Sequence, residues 1–253
     1  MTVDGLFRLD GRRALVVGGY GGIGEPTVRL LRSQGAAVAI AGRSADKAAK
    51  LADEVGGVGL RLDITDKESI AAGVAQTIDA LGGLDIVVNM AGTLIEAPAL
   101  DFPDDAWDSV MTSNLTGAFW LSQAAAPALF ESESGGRLIH FSSVRSLSGG
   151  RRGFAAYAAA KAGLNNLVRQ LATEWGARGV TVNAVAPGFV RTDINAHAME
   201  DENFMRMVLG RIPMGRMAEP MEVAGAVGWL ASPAAAFVTG QIVFVDGGVT
   251  ASQ

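Results

Sequence analysis

Seven short apolar runs recur along the chain, and their texture limits the fold more than any other feature. They are RALVVGG in the 12–19 region, AAVAIAG at 36–42, VGLRLD at 58–63, LDIVVNMAG at 84–92, RLIHFSS at 137–143, VTVNAVAPG at 180–188 and QIVFVDGG at 241–248. Each is nearly continuous in apolar, mostly β-branched residues instead of alternating with polar ones. Continuous runs of this length are strands covered on both faces, which is the condition of a parallel sheet. Between them lie helix-length patterns at about 23–33, 45–55, 66–81, 104–131, 154–177 and 219–231. Strands alternating with helices predict an α/β fold, doubly wound with right-handed crossovers.

No Pro/Ser-rich linker, long charge run or internal repeat divides the 253 residues, so residues 1–253 are expected to form a single domain. Two segments break the rhythm. VRSLSGGRRG at 144–153 has no core pattern, and residues 189–217 carry scattered Met, Arg and Pro. Both follow carboxyl ends of strands, where open α/β sheets bind ligands. The second is long enough to act as a substrate lid with short helices of its own. A net charge of −5 argues against a general nucleic-acid binder. The absence of Cys removes disulfides, thiolate nucleophiles and cysteine metal sites together. His140 and His197 are the only histidines, so a histidine metal site has little material and no metal is expected. MTVDGLFRLDGRR lacks a signal-peptide core and no apolar stretch approaches the ~20 residues of a membrane span. The expectation is a soluble cytoplasmic protein with no membrane partner.

Two stretches carry chemistry. Gly18-Gly19-Tyr20-Gly21-Gly22-Ile23-Gly24 lies between the first strand and first helix, with Pro26 in the first helical turn. Glycines there permit a tight turn and close approach of backbone to a pyrophosphate, which the helix N-terminus then attracts. A glycine cluster alone is weak evidence in a chain with 33 glycines; its position makes the argument. At the end of the second strand, AVAIAGRS puts Gly42 where an NAD-preferring site usually has a carboxylate, and Arg43 follows. An arginine can pair with a 2′-phosphate, so NADP(H) is favoured over NAD(H). The alternative is that Arg43 is a solvated charge at a strand end. The second stretch is YAAAK, in which Tyr157 and Lys161 share a helix face. A cation there favours phenolate and would make tyrosine a usable acid and base. The alternative is a half-buried Tyr and an exposed Lys that decorate a helix.

In order along the chain, VVGGYGGIG, the LDIT at Asp63, NMAG at 89–92, SNLTG at 113–117, FSS then YAAAK, APGFVRT at 186–192 and VTGQIVFVDGG give a closer resemblance. The chain resembles the short-chain dehydrogenase/reductase family over almost its full length. The resemblance implies a three-layer Rossmann fold with a doubly wound, seven-stranded parallel sheet and, in the cell, a homotetramer. It implies that Tyr157 exchanges a proton with the substrate oxygen and that Ser143, or its neighbour Ser142, hydrogen-bonds that oxygen. Lys161 would lower the phenol pKa and hold the nicotinamide ribose, and Asn114 would position a water linking Lys161 to solvent. On the cofactor side, the resemblance adds Asp63 and Ile64 at the adenine and Asn89, Ala91 and Gly92 at its ribose. Pro187, Gly188, Val190 and Thr192 would meet the carboxamide and phosphates. Val17 and Met90 depart from the family pattern, as does the spacing between Ser143 and Tyr157.

For the substrate, Arg145, Arg151 and Arg152 lie in the loop before Tyr157 and could clamp a carboxylate or phosphate. Equally, they could be solvated or lie in a subunit contact. The loop is similar to that of members resembling gluconate 5-dehydrogenases, so the expected substrate is a polar hydroxy- or keto-compound such as a sugar acid or polyol. The alternative is 3-oxoacyl-(acyl-carrier-protein) reductase, set second because Glu131 and Glu133 have the wrong sign for an acidic carrier and Arg178 alone is a poor replacement. A non-catalytic nucleotide-binding regulator is the third reading, although such a protein need not keep Ser, Tyr, Lys and Asn together.

Overall fold

A computed structural model describes residues 3, 5–150, 153–193 and 196–252. Its strands are β1 (Arg13–Val17), β2 (Ala37–Gly42), β3 (Val58–Arg61), β4 (Ile86–Asn89), β5 (Arg137–Phe141), β6 (Thr181–Pro187) and β7 (Ile242–Val245). The helices are α1 (Gly24–Ser33), α2 (Ala45–Val55), α3 (Lys67–Leu81), α4 (Asp104–Met111), α5 (Gly117–Phe130), α6 (Ala155–Trp175), α7 (Glu202–Leu209) and α8 (Pro220–Ala231). The strands pair in parallel in the order β3-β2-β1-β4-β5-β6-β7. The sheet order therefore reverses between β1 and β4, the topological switch point of a doubly wound Rossmann arrangement.

The continuous apolar texture has a direct cause in the packing. Side chains alternate across a strand, and in β1 Ala14 and Val16 enter one core while Leu15 and Val17 enter the other. The first core joins the sheet to Val28 and Leu31 of α1, Leu51 of α2 and Val223 and Val227 of α8. The second joins it to Ile70 and Val74 of α3, Leu121 and Leu129 of α5 and Val168 of α6. With helices on both faces, a polar strand residue needs a partner inside the core, as Asn183 finds in the Val238 carbonyl at 2.8 Å. The turns follow local rules. Ser44 and Asp66 cap α2 and α3 with side-chain oxygens, and Gly56 and Gly82 end those helices at φ 66° and 75°.

One expected helix differs from its pattern. The stretch 104–131 is helical, but residues Thr112–Thr116 form a widened turn between α4 and α5 with i→i+5 bonding. The Asn114 side chain explains it: its Nδ2 donates to the Val110 carbonyl at 2.9 Å, the acceptor that its own backbone N–H would use in a regular helix. Such single wide turns gather at functional sites. Residues 189–217 hold α7 and a short 3-10 turn, His197–Glu200. A third small cluster, built on Val208, Ile212 and Met217, packs this segment. Among the described residues, no helix is long and apolar enough to cross a membrane.

Candidate active site

The glycine loop closes over the carboxyl end of β1. Gly18 has φ 81°, a left-handed conformation that only glycine adopts cheaply. Its N–H donates to the Ala41 carbonyl at 2.8 Å, tying the loop to β2. A Cβ on Gly24 would run into the Gly18 carbonyl, and one on Gly22 would lie 2.9 Å from Thr192. The small residues therefore let α1 start hard against the loop and let the segment after β6 come down over it. At the N-terminus of α1, Ile23 supplies no side-chain cap, Pro26 has no N–H to satisfy, and the Glu25 N–H donates to the Gly21 carbonyl at 2.9 Å, so the positive end of the helix is tied directly to the glycine loop. The shape suits a pyrophosphate.

A cavity of about 310 Å³ opens beside this loop at the switch point. Gly18, Tyr20, Gly21 and Arg43 line one side, and Asp63, Ile64, Ala91 and Gly92 the other. Burial alone would raise the Asp63 pKa. Two hydrogen bonds from Thr65 and the charges of Arg43 and Arg61 outweigh it and hold the carboxyl below its usual value.

Gly42 has a steric reason that sequence reading did not reveal. A Cβ there would sit 2.5 Å from the Tyr20 hydroxyl, which accepts a hydrogen bond from the Ser44 N–H at 3.0 Å. Tyr20 thus occupies the space that a carboxylate at position 42 would need. Gly42→Asp alone is expected to lower the melting temperature and weaken both dinucleotides. Gly42→Asp combined with Tyr20→Ala should restore folding and move the NADH-to-NADPH affinity ratio toward NADH by about 10-fold, the scale of one charge-assisted hydrogen bond. Fluorescence titration with both dinucleotides measures this; an unchanged ratio in the double variant would contradict it.

A second cavity, of about 340 Å³, shares Met90, Gly92 and Thr93 with the first. Asn114, Ser143, Tyr157 and Lys161 all line it, as do Ile23, Pro187, Gly188, Val190 and Thr192. Tyr157 and Lys161 lie one turn apart near the start of α6, and the Lys161 Nζ is 5.6 Å from the phenol ring centre. Lys161 is buried at 4% exposure and donates to the Phe141 carbonyl at 2.6 Å. Burial brings its pKa down from 10.5 to about 7. For Tyr157 burial raises the pKa, while the Ser143 hydroxyl and the Arg145 guanidinium pull it back down. The pull on the phenol thus comes from Ser143 and Arg145, where the helix spacing had pointed to Lys161. An ammonium that itself titrates near neutrality and is anchored to a carbonyl is a weaker electrostatic partner than a permanent cation.

The two serines part company. Ser142 donates its hydroxyl proton to Asn165 Oδ1 at 2.6 Å and is buried. Ser143 is extended, and its Oγ accepts from the Arg145 N–H at 3.2 Å. Asn114 spends its Nδ2 on the carbonyls of Thr93 and Val110 and on Ser113. Its Oδ1 is buried without a hydrogen-bond partner, and it lies close to Gly92, where a Cβ would also come within 3.5 Å of the Lys161 Nζ.

Of the expected cofactor residues, Gly22, Gly24 and Asn89 line neither cavity; Gly22 and Gly24 shape the loop, and Asn89 ends β4. The Asn89 side chain accepts the Ala91 N–H at 3.2 Å and approaches His140 Nδ1 at 3.4 Å. His140 is fully buried, its other nitrogen lies 3.1 Å from the Ser122 hydroxyl, and burial lowers its pKa to about 3. Ser122 donates its own proton to the Ala118 carbonyl at 2.6 Å, so His140 donates from Nε2 and accepts from Asn89. This neutral imidazole therefore braces the floor of the site. The sequence offered one signal for it, a polar residue in the middle of an otherwise apolar strand run.

Three further placements bear on the substrate. Arg145 stays near Tyr157, stacked 4.8 Å from the Phe154 ring centre. Arg151 and Arg152 fall outside the described residues. Glu131 and Glu133 precede β5, and Arg178, stacked on Phe130 at 4.3 Å, precedes β6. All three therefore lie at the amino edge of a parallel sheet whose cavities open at the carboxyl edge. Their charges say nothing about docking at the active-site mouth, and the charge argument against an acyl-carrier substrate falls.

Comparison with known proteins agrees with this geometry. A family profile described as Enoyl-(Acyl carrier protein) reductase matches residues 18–250. A 3-oxoacyl-(acyl-carrier-protein) reductase of Vibrio cholerae is 40% identical over 95% of this chain and 98% of its own. Gluconate 5-dehydrogenase of Gluconobacter oxydans is 35% identical over 100% of both chains. The crystal structure of a gluconate 5-dehydrogenase from Burkholderia cenocepacia in complex with NADP and tartrate superposes with a TM-score of 0.91 at 35% identity, covering 98% of this chain and 99% of that one.

Proposed function

Since the chain belongs to the short-chain dehydrogenase/reductase family, whose members act on alcohol and carbonyl groups with NAD(P), we propose that it interconverts a secondary alcohol and a ketone with NADP(H), on a polar substrate of the sugar-acid or polyol kind. One observation carries this reading: Asn114, Ser143, Tyr157 and Lys161 line a single cavity that joins the cavity of the glycine loop. Tyr157 holds or takes the proton at the substrate oxygen. Ser143 bonds that oxygen and fixes it; the commitment of the Ser142 proton to Asn165 supports this assignment. A donor held in place where charge develops stabilises the transition state without reorganising. Lys161, titrating near pH 7, can hand a proton toward Tyr157 and recover one. Asn114 would position a water between Lys161 and solvent, in keeping with its unbonded Oδ1. Held beside Lys161 by Pro187, Gly188, Val190 and Thr192 of the same cavity, the nicotinamide would supply or accept the hydride.

The preference for NADP(H) rests on Gly42, which offers no carboxylate, and on Arg43 at the cavity wall. The NADP named with the Burkholderia relative is in keeping with it. Residues 189–217 would cover the substrate side, since Phe189, Val190 and Thr192 already form part of the wall. A homotetramer is in keeping with the half-buried edge strand β7 and with Trp107 and Phe119, which are 39% and 42% exposed on the helical stretch 104–130.

A second reading, 3-oxoacyl-(acyl-carrier-protein) reductase, draws on the Vibrio cholerae relative. Keto-acids of sugars, polyols and an acetoacetyl thioester, each assayed with NADPH and NADH, separate the two. Consumption of NADPH with the keto-acids at least ten times faster than with the thioester supports the first reading; the reverse order installs the second. No turnover of any carbonyl would remove both.

A further inference from the structure

A larger cavity, of about 500 Å³, has a wall that includes Arg145, Ser148, Arg211 and Ser252, and Arg145, whose charge acts on Tyr157, links it to the catalytic cavity. Two loops bring the arginines there. Arg145 follows β5 and Ser143, and Arg211 follows α7 after Gly210. Each guanidinium is only half-buried. Among the described residues neither has a carboxylate within ion-pair distance. Arg145 gives one N–H to the Gly149 carbonyl at 3.2 Å and lays its face on Phe154, which fixes the plane and leaves most of its donors unused. The two cations repel each other: burial and then Arg211 lower the Arg145 pKa, while Glu96 and Tyr157 draw it up. In a chain with 26 acidic residues and 21 basic ones, two facing guanidiniums without a paired carboxylate are a conspicuous arrangement. A bound anion would cancel the repulsion and use both forks.

We propose that Arg145 and Arg211 form a two-armed seat for a substrate carboxylate, selecting hydroxy- and keto-acids over neutral polyols of the same skeleton. This rests on the assignment of Tyr157 as the reacting group, because Arg145 acts on both the seat and the phenol. Arg145 places the acid's distal end next to Tyr157, and Arg211 closes the seat from the segment after α7. At about 500 Å³ the cavity has ample room for a short, polar acid. Loop residues 144–150 and the segment 210–213 therefore determine specificity together, although neither is part of the dinucleotide cleft.

The test is binding, measured by calorimetry in the presence of NADPH, of tartrate and of threitol, the same four-carbon skeleton without carboxylates. Wild type is expected to bind tartrate at least 10-fold more tightly than threitol. Arg211→Gln and Arg145→Gln should each lose about 10- to 100-fold in tartrate affinity, the range for a charge-assisted hydrogen bond. Threitol and NADPH affinities should not move, and Arg211→Lys should recover part of the loss. Equal binding of tartrate and threitol, or unchanged tartrate binding in Arg211→Gln with an unchanged melting temperature, would overturn the seat. So would an effect of Arg211→Gln confined to an acyl-carrier-protein substrate. Because binding needs no turnover, a wild type that seats tartrate through both arginines yet reduces no carbonyl would keep the seat and overturn the redox assignment.

Discussion

Tyr157→Phe is expected to lower turnover by about 10²- to 10⁴-fold, the range that positioned proton transfer contributes, while the melting temperature and NADPH affinity stay near wild type. The substitution removes one oxygen and keeps the ring. That ring is part of the first turn of α6, and its packing does not depend on the hydroxyl. Ser143 and Arg145 pull the phenol toward ionisation against the burial that raises it, so both influences lose their target at once. The decisive comparison is single-turnover reduction against dinucleotide binding in the same preparation. A variant that turns over within a factor of ten of wild type would end the assignment of Tyr157. A variant that no longer binds NADPH would instead mean that Tyr157 mainly supports the cleft.

Lys161→Met is the second large effect, and its sign differs between activity and stability. Turnover should fall by about 100-fold or more, since no group at that position then holds a proton beside Tyr157. Stability behaves differently because the ammonium is buried against its preference. In the folded chain Lys161 titrates at about 7, against 10.5 ordinarily. Below pH 7 it is protonated in both folded and unfolded chains, and the full cost of burial is present. Between 7 and 10.5 the unfolded chain holds a proton that the folded chain has released, so stability rises with pH at up to ~1.4 kcal/mol per unit. The stability gained at high pH is lost again as pH falls back through 7. Lys161→Met lacks this slope. It also leaves the Phe141 carbonyl without its 2.6 Å donor, a constant cost that does not depend on pH. Urea denaturation at pH 6, 7, 8 and 9 should therefore show the variant losing ground to wild type steadily above pH 7. Parallel curves across that range would show that Lys161 is not the depressed group.

The legible and illegible parts of this site divide along a physical line. The glycine loop could be read because its requirement is local: a turn, a missing Cβ and a helix start within seven residues, and Gly18, Gly22 and Gly24 each meet one of these needs. Tyr157 and Lys161 could be placed together because a helix puts residues four apart on one face. What controls the phenol could not be read that way. Arg145 is distant in sequence but near in space, and burial brings the Lys161 pKa down to about 7, an effect with no local signature. His140 braces Asn89 from an adjacent strand through a register that only sheet pairing creates. Glu131 and Glu133 carry no sequence mark of which sheet edge they occupy, and they precede a strand whose carboxyl end forms the site.

By itself the order of residues determined a parallel sheet with helices on both faces, the glycine loop after its first strand, and the family to which these belong. Those properties follow from the periodicity of burial and from backbone geometry, both of which act over a few neighbouring residues. Only the tertiary structure decided which charges meet. It brought Arg211 across from the segment after α7 to face Arg145, and it gave Tyr20 the space above Gly42. It also moved the acidic pair to the far edge of the sheet. The reason is range: backbone preferences are set within a turn or a strand, whereas electrostatics and exclusion act through space between segments that the chain separates by tens of residues.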